Sequence, residues 1–329
     1  MIKTNWTMNK FYILVLSYIL FFGCSTDDKT IDQVFAETTR GSFLRTIKFN
    51  QADVDVTNLE SEFSVTLEQQ DLEDGELLDY VDVYIQFIDN TADNGDFTTT
   101  EQALTVLTKD MFVTGSVGLP RIDVKYTLAE LLAATGLNST QVSCKDQFIL
   151  RFDIFLIDGR SFTVGSGAPC IIAFETFFSS PYRFLINLVT PIDSDLFTGT
   201  YLYTSELDGP FGPTFGVSQL VEVTKGEDIN ARYFQIPAPP GAPYFGIPRK
   251  FKFSIVCDQV VFWENQLKKI NLKCSERGND PLLGPGPENA TIVPFDDAVF
   301  EIWLVEGYLG FDGGSGTGTV PSRIRFDKQ

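Results

Sequence analysis

Between Gly41 and the C-terminus, apolar and polar residues alternate mostly with a period of two. Phe43–Phe49 (FLRTIKF), Phe63–Leu67 (FSVTL) and Tyr80–Phe87 (YVDVYIQF) each put apolar side chains on one face and polar ones on the other. That is the pattern of half-buried antiparallel strands. Phe148–Ile157 and Ser161–Val164 continue it around Asp158-Gly159, a dipeptide suited to the positive-φ positions of a type I′ hairpin turn. Ile171–Phe174 predicts another short strand. A second strand-rich stretch comprises Gly199–Thr204, Ser218–Thr224, Ile229–Ile236, Lys250–Val256, Val260–Glu264, Lys269–Lys273, Val299–Val305 and Ser322–Phe326.

One segment breaks the alternation. In Thr127-Leu-Ala-Glu130 a hydroxyl and a carboxylate stand at capping-box spacing, Leu128, Leu131 and Leu132 supply an apolar face, and Gly136 suits a helix stop. The spacing predicts one short helix over 128–135, a connector between sheets. Many short strands with one crossover helix predict an all-β fold, read as two tandem antiparallel β-sandwich domains. These cover 41–180 and 181–329, with the boundary near Phe178–Tyr182 (FSSPY). Connections in the second domain are rich in proline, glycine and aromatic residues: Asp208–Gly216, Pro237–Pro248, Pro281–Pro287 and Gly307–Gly318. No internal repeat is visible.

The first 40 residues follow a different pattern. Lys3 and Lys10 flank the start of an apolar run, Phe11–Phe22, which Gly23-Cys24 follows directly. The run is apolar on every face, unlike an amphipathic core helix. Its length suits a secretory h-region of about 7–15 residues better than a membrane span of roughly 20. A small residue and a cysteine at this point resemble the lipobox of bacterial lipoproteins, with Phe21-Phe22 departing from the usual residues. The resemblance implies removal of residues 1–23, acylation of Cys24 with palmitate-type chains, and a flexible tether over 24–40. Ser25-Thr26-Asp27-Asp28 resembles the acidic signal that sends lipoproteins of the Bacteroidetes to the outer face of the outer membrane. A plain solvated tether would have the same composition.

The formal net charge is −19, and it becomes more negative once Lys3 and Lys10 leave with the leader. Such a charge opposes binding to nucleic acid and anionic headgroups, and favours solubility and divalent cations.

Beyond Cys24 the cysteines are Cys144, Cys170, Cys257 and Cys274, none in a C-x-x-C pair. Zinc ribbons and thioredoxin-type motifs are therefore unsupported. Export implies an oxidising compartment, and the sequence permits three pairings. The apparent hairpins, turning at Asp158-Gly159 and near Asn265-Gln266, favour Cys144 with Cys170 and Cys257 with Cys274. Four free buried thiols are the alternative.

The chain contains no histidine. This removes Ser-His-Asp and Cys-His nucleophile systems, histidine-ligated zinc and the usual neutral-pH general base. There is no phosphate-cradling glycine loop and no G-x-S-x-G elbow. No cofactor, resident metal or catalysis is expected. Asp89, Asp93 and Asp96 gather around Gly95 as weak calcium candidates, but the glycine falls one position late for an EF-hand and the segment also reads as a polar hairpin loop. Asp71, Glu73, Asp74 and Glu76 form a second acidic loop open to the same two readings. The candidate ligand-binding residues are aromatic: Phe211, Phe215, Tyr244, Phe245, Tyr308 and Phe311 all fall in the Gly/Pro loops. Rings held there either stack on sugar faces and anchor partners, or fold back to cap the core. Trp263 and Trp303 lie in strand-like text and are expected in the core.

With its Cys24 leader, Asp27-Asp28, strand-rich body and Phe197–Tyr203 (FTGTYLY), the chain resembles Bacteroidetes surface lipoproteins with Ig-like β-domains. Among these are the SusE-like accessory proteins near SusC/SusD-type uptake systems. The resemblance implies non-catalytic binding of a glycan or nutrient at the cell surface, and no binding residue transfers by motif. Docking to an envelope protein partner is the alternative, and a carboxylate-based hydrolase a more distant one.

Overall fold

The structure is a computed structural model. It describes residues 41–91, 95–166, 169–172, 178–210, 212–227, 230–236, 249–267, 282–293, 295–306 and 320–329. Cys24, the leader and tether, and the predicted strand Lys269–Lys273 lie outside the described residues.

The fold is all-β with one short helix. The first half contains β1 (Phe43–Gln51), β2 (Val54–Asp55), β3 (Glu62–Gln70), β4 (Leu78–Ile88), β5 (Gln102–Thr108), β6 (Val113–Thr114) and β7 (Pro120–Thr127). Helix α1 (Leu128–Thr135) leads on to β8 (Gln147–Leu156), β9 (Ser161–Phe162), a helical turn α2 (Pro169–Ile172) and β10 (Arg183–Val189). The second half has β11 (Gly199–Leu207), β12 (Ser218–Lys225), β13 (Ala231–Ile236), β14 (Arg249–Val256) and β15 (Gln259–Phe262). After these come β16 (Gln266–Leu267), β17 (Leu282–Pro285), β18 (Ala290–Thr291), β19 (Val299–Glu306) and β20 (Val320–Lys328).

In the first half a four-stranded sheet, β1-β3-β7-β6, packs on a second sheet ordered β2-β10-β8-β4-β5, with β9 added to β8. Alternation fills the space between them: Phe63, Val65 and Leu67 of β3 share a core with Val81–Phe87 of β4 and Phe148–Ile154 of β8. The expected capping box is present. Thr127 accepts from Glu130 N–H, the Glu130 carboxylate accepts from Thr127 N–H, and Gly136 ends α1 at φ 72°. The helix drops Leu128, Leu131 and Leu132 into that core. On the outer face of β3, Glu68 is fully buried between Arg45 and Arg121, the latter at 2.6 Å. A buried carboxylate persists only with such pairing.

In the second half the two layers are limbs of one ten-stranded antiparallel sheet, β16-β17-β19-β20-β11-β12-β13-β14-β15-β18. It curls until β15 and β18 pack against β19. The enclosed core is rich in aromatic rings, with Phe300 and Phe326 stacked at 4.6 Å and Tyr201, Tyr203, Phe234, Phe251 and Phe253 among them. This accounts for much of the chain's unusual phenylalanine content. Both cores belong to one compact unit, residues 41–329. Strand β10, just past FSSPY, pairs with β8 and so completes a first-half sheet.

Three local expectations are corrected. At the β8–β9 turn only the glycine is left-handed: Gly159 has φ 84°, and Leu156 N–H donates to Arg160 O across three residues, so the turn is not type I′. Residues 169–172 of the segment expected to hold a strand over Ile171–Phe174 form the helical turn α2. The hairpin expected to turn near Asn265-Gln266 has its second arm, Lys269–Lys273, outside the described residues; Cys257-Asp258 is the turn between β14 and β15, where Val256 pairs with Gln259.

The cysteine pairing differs for the same reason: Cys144 is bonded to Cys257, Cα to Cα 6.1 Å. Strand β9 stays beside β8 for two residue pairs only, so Cys170 never comes opposite Cys144. Instead β10 occupies that edge and brings Thr190 Oγ1 to 3.4 Å from Cys144 Sγ. Cys257, at φ 62° on the turn tip, meets the same edge at Leu188 O. Cys274 and the Cys170 side chain lie outside the described residues.

The bridge closes a loop with a sequence separation of 113 residues across the junction of the halves. Loop-closure entropy then predicts that replacing both cysteines by serine lowers unfolding free energy by about 4–5 kcal/mol. Urea titration of the oxidised wild type against the double variant measures it. Equal midpoints would show that the bridge adds no constraint.

Candidate functional site

The polar residues that interrupt apolar strands converge where the halves meet. In β10 the run Phe184–Val189 is broken by Asn187, and Asp53 sits between Ala52 and Val54. Strand register sets Asn187 opposite Gln147 of β8, and Gln147 Nε2 donates to Asn187 Oδ1 at 2.8 Å. Asn187 Nδ2 donates to Asp53 Oδ1, and Ser254 of β14 donates to Asp53 Oδ2, both at 2.7 Å. Trp263 Nε1–H then donates to Ser254 Oγ at 2.9 Å. Five side chains from both halves thus form one relay, with Asp53 and Ser254 fully buried at its centre.

The indole is held from two further sides. Phe49 of β1 meets it edge-on at 5.2 Å, and the fully buried Lys252 of β14 places Nζ 3.5 Å from its ring centroid. Lys252 is also paired with Glu227 at 2.7 Å. Burial pushes the Glu227 carboxyl up, but the Lys252 charge and hydrogen bonds from Lys252 and Tyr233 outweigh that and leave it below its ordinary 4.5. Past Trp263 the chain leaves the sheet. Gln266 takes over the ladder with its side chain, accepting from Lys252 N–H and donating to Lys252 O. The intervening bend carries Asn265 at φ 60°, a left-handed position that asparagine tolerates better than most residues.

These groups wall a cleft of about 350 Å³, at the lower end of the roughly 300–1,000 Å³ typical of small-molecule sites. Thr46, Phe49, Gln147, Phe184 and Asn187 come from the first half; Val261, Phe262, Trp263, Asn265 and the turn 286–289 come from the second. Six carboxamides line it: Asn90, Gln147, Asn187, Gln259, Asn265 and Asn289. Its cations are matched by acids, Lys145 with Asp258 at 2.6 Å and Arg183 with Glu264 at 3.9 Å. Rings, amides and neutralised charge suit an uncharged polar ligand better than an ion.

None of these residues was singled out as a site from the sequence. Trp263, expected in the core, is half-buried and lines the cleft; Trp303 is half-buried under the Arg323 guanidinium at 5.2 Å. Of the aromatic candidates, Phe215 is corrected: it is 5% exposed and packs on Phe251 at 4.5 Å and Phe234 at 5.7 Å. Its loop is pinned down by Tyr203 donating to Gly216 O and by Thr214 against Ser322. A ring beside so aromatic a core gains more from burial than from exposure. Phe211, Tyr244, Phe245, Tyr308 and Phe311 lie outside the described residues.

The acidic loops are held by their own backbones. Asp89 accepts from Thr91 and Phe97 N–H, and Asp96 from Thr98 N–H, whose bonds hold the Asp96 carboxyl below its usual range. Asp93 lies outside the described residues. Asp71 accepts from Glu73 and Gly75 N–H, and Glu76 pairs with Lys109 at 3.0 Å. Among the described residues no three metal-ligating side chains cluster.

No protein-family model matches this sequence, and no curated protein matches it either.

Because the Glu227 carboxyl sits below its ordinary value when folded, its contribution is complete above about pH 4.5 and is lost as pH falls through the folded value. Glu227→Gln, which leaves Lys252 buried without its carboxylate, is expected to cost about 3 kcal/mol at pH 7. The gap from wild type should shrink below pH 4.5, as read by urea midpoints at both pH values. A gap independent of pH would show that the carboxylate charge plays no part.

Proposed function

We propose that this chain is a non-catalytic lipoprotein of the outer-membrane surface that binds a glycan in the cleft between its halves. The observation that carries the reading is the cleft wall. A fixed, half-buried indole and three phenylalanine rings give the wall its apolar surface, and six carboxamides add polar groups to it, beside cations already matched by carboxylates. Sugars present the complementary surface, an apolar ring face edged with hydroxyls. This moves the ligand site from the aromatic loops of the second half to the junction.

Calorimetric titration against a panel of neutral mono- and oligosaccharides tests binding. At least one sugar is expected to bind, with Trp263→Ala weakening it tenfold or more. A panel with no binder removes the glycan reading. Release of shorter products would move the reading to a hydrolase working through Glu264 and Glu288, both in the cleft.

The anchoring half of the proposal rests on Cys24. Mass spectrometry of the full chain exported by a bacterial host should find it starting at a triacylated Cys24, and Cys24→Ser should abolish the acyl mass. An unmodified chain beginning at Met1 would overturn anchoring and leave the cleft reading intact.

Partner docking is the second reading. It draws on Phe295, 72% exposed, and Val293, 68% exposed, beside an apolar hollow at Ile192, Phe197 and Ile292. Crosslinking on intact cells that yields a stoichiometric envelope partner, with no response to any sugar, would favour it.

A further inference from the structure

We infer that Asn265 is the specificity-determining residue of the cleft, its Oδ1 receiving one particular ligand hydroxyl. The inference rests on the glycan reading above and goes beyond it by naming the atom that selects.

Three observations carry it. Asn265 is only 6% exposed, and its Oδ1 is buried with no hydrogen-bond partner among the described residues. The neighbouring amides are in a different state: Gln147, Asn187 and Gln266 are each committed to another side chain or to backbone. The Asn265 position is also fixed, by its left-handed φ and by the Gln266 side chain that ties the following residue to β14. A buried carbonyl without a donor is costly, and native proteins seldom tolerate one without a reason. On the first half's side of the same cleft, Thr46 Oγ1 is likewise buried with no partner among the described residues. Among the described residues the cleft therefore has two unmet polar atoms, one contributed by each half.

The class of donor follows from charge. The acceptor is a neutral amide carbonyl, and of the acids about the cleft Asp258 and Glu264 already face Lys145 and Arg183, with Glu288 on the 286–289 turn the remaining one. A neutral O–H, able to donate to Asn265 and to exchange hydrogen bonds with the Thr46 hydroxyl, fits both atoms. A site built around such a bond rejects the analogue that lacks the hydroxyl, because the acceptor is then stranded.

The test is a cycle between protein and ligand. Methyl glycosides of glucose, mannose and galactose, with their monodeoxy analogues, are titrated into wild type, Asn265→Gly and Thr46→Val. Glycine adopts the required φ without strain, so the first variant removes only the amide. In wild type, one deoxy position should weaken binding tenfold or more, and in Asn265→Gly the same deletion should have almost no effect. Thr46→Val should weaken binding while preserving the preference among deoxy positions. Binding by wild type with no coupling between Asn265 and any hydroxyl overturns this inference and leaves the glycan reading standing. Failure of every glycoside to bind overturns both. A measurement without ligand guards against a purely structural role. The urea midpoint of Asn265→Gly should not fall, since no protein bond is lost; a clear drop would mean that Oδ1 serves the fold, and would overturn the inference.

Discussion

The structure depends above all on how one buried charge is satisfied. Asp53 is completely enclosed, and a carboxylate in that position must be fully hydrogen-bonded or it destabilises everything around it. Its two oxygens are served from opposite halves, by Asn187 of β10 and Ser254 of β14. The junction is consequently specified in register: a slip of one residue in either strand would turn the donor away and leave the carboxylate stranded. That specificity passes directly to the cleft, because Asn187 orients Gln147 on one wall and Ser254 orients the Trp263 indole on the other.

Around this centre the remaining junction contacts act in parallel. The Cys144–Cys257 bridge and the Lys145–Asp258 pair clamp one end, and Lys252 reaches from β14 to lie against Phe49 of β1 as well as Trp263. A cation buried among rings and paired to one carboxylate resists displacement, since each escape route leaves a charge unsolvated. The rings of the cleft are thus set before any ligand arrives, and binding avoids most of the entropy cost of ordering them.

Alternation made the sheets legible because burial on one face imposes it, and α1 was legible because capping boxes are local. The missed strands were those whose pattern tertiary contacts override. Strand β3 was read only over Phe63–Leu67 and runs on to Gln70, its outer side covered by Arg45 and Arg121 over Glu68. Strand β17 hides inside the Pro281–Pro287 segment, where proline and glycine read as loop. The cysteine pairing failed because it depends on which strand takes the free edge of β8, a choice made by β10 from more than twenty residues away. The candidate site was least visible of all. Its residues are scattered along the chain, Asp53 and Ser254 lying 201 positions apart, and no spacing rule links them. The one local signal was a polar residue amid apolar neighbours at Asp53 and Asn187.

The same separation has a consequence for biogenesis. A ribosome makes Asp53 and Asn187 long before Ser254, and Cys144 long before Cys257. Through that interval the nascent first half has a carboxylate without its Ser254 donor and a Cys144 thiol without Cys257. Its sheets can assemble, but the face that will bear the cleft stays unfinished until β14 arrives. The two halves are then bound to mature as one event, and a chain interrupted between them leaves an unfinished surface for chaperones or proteases to find.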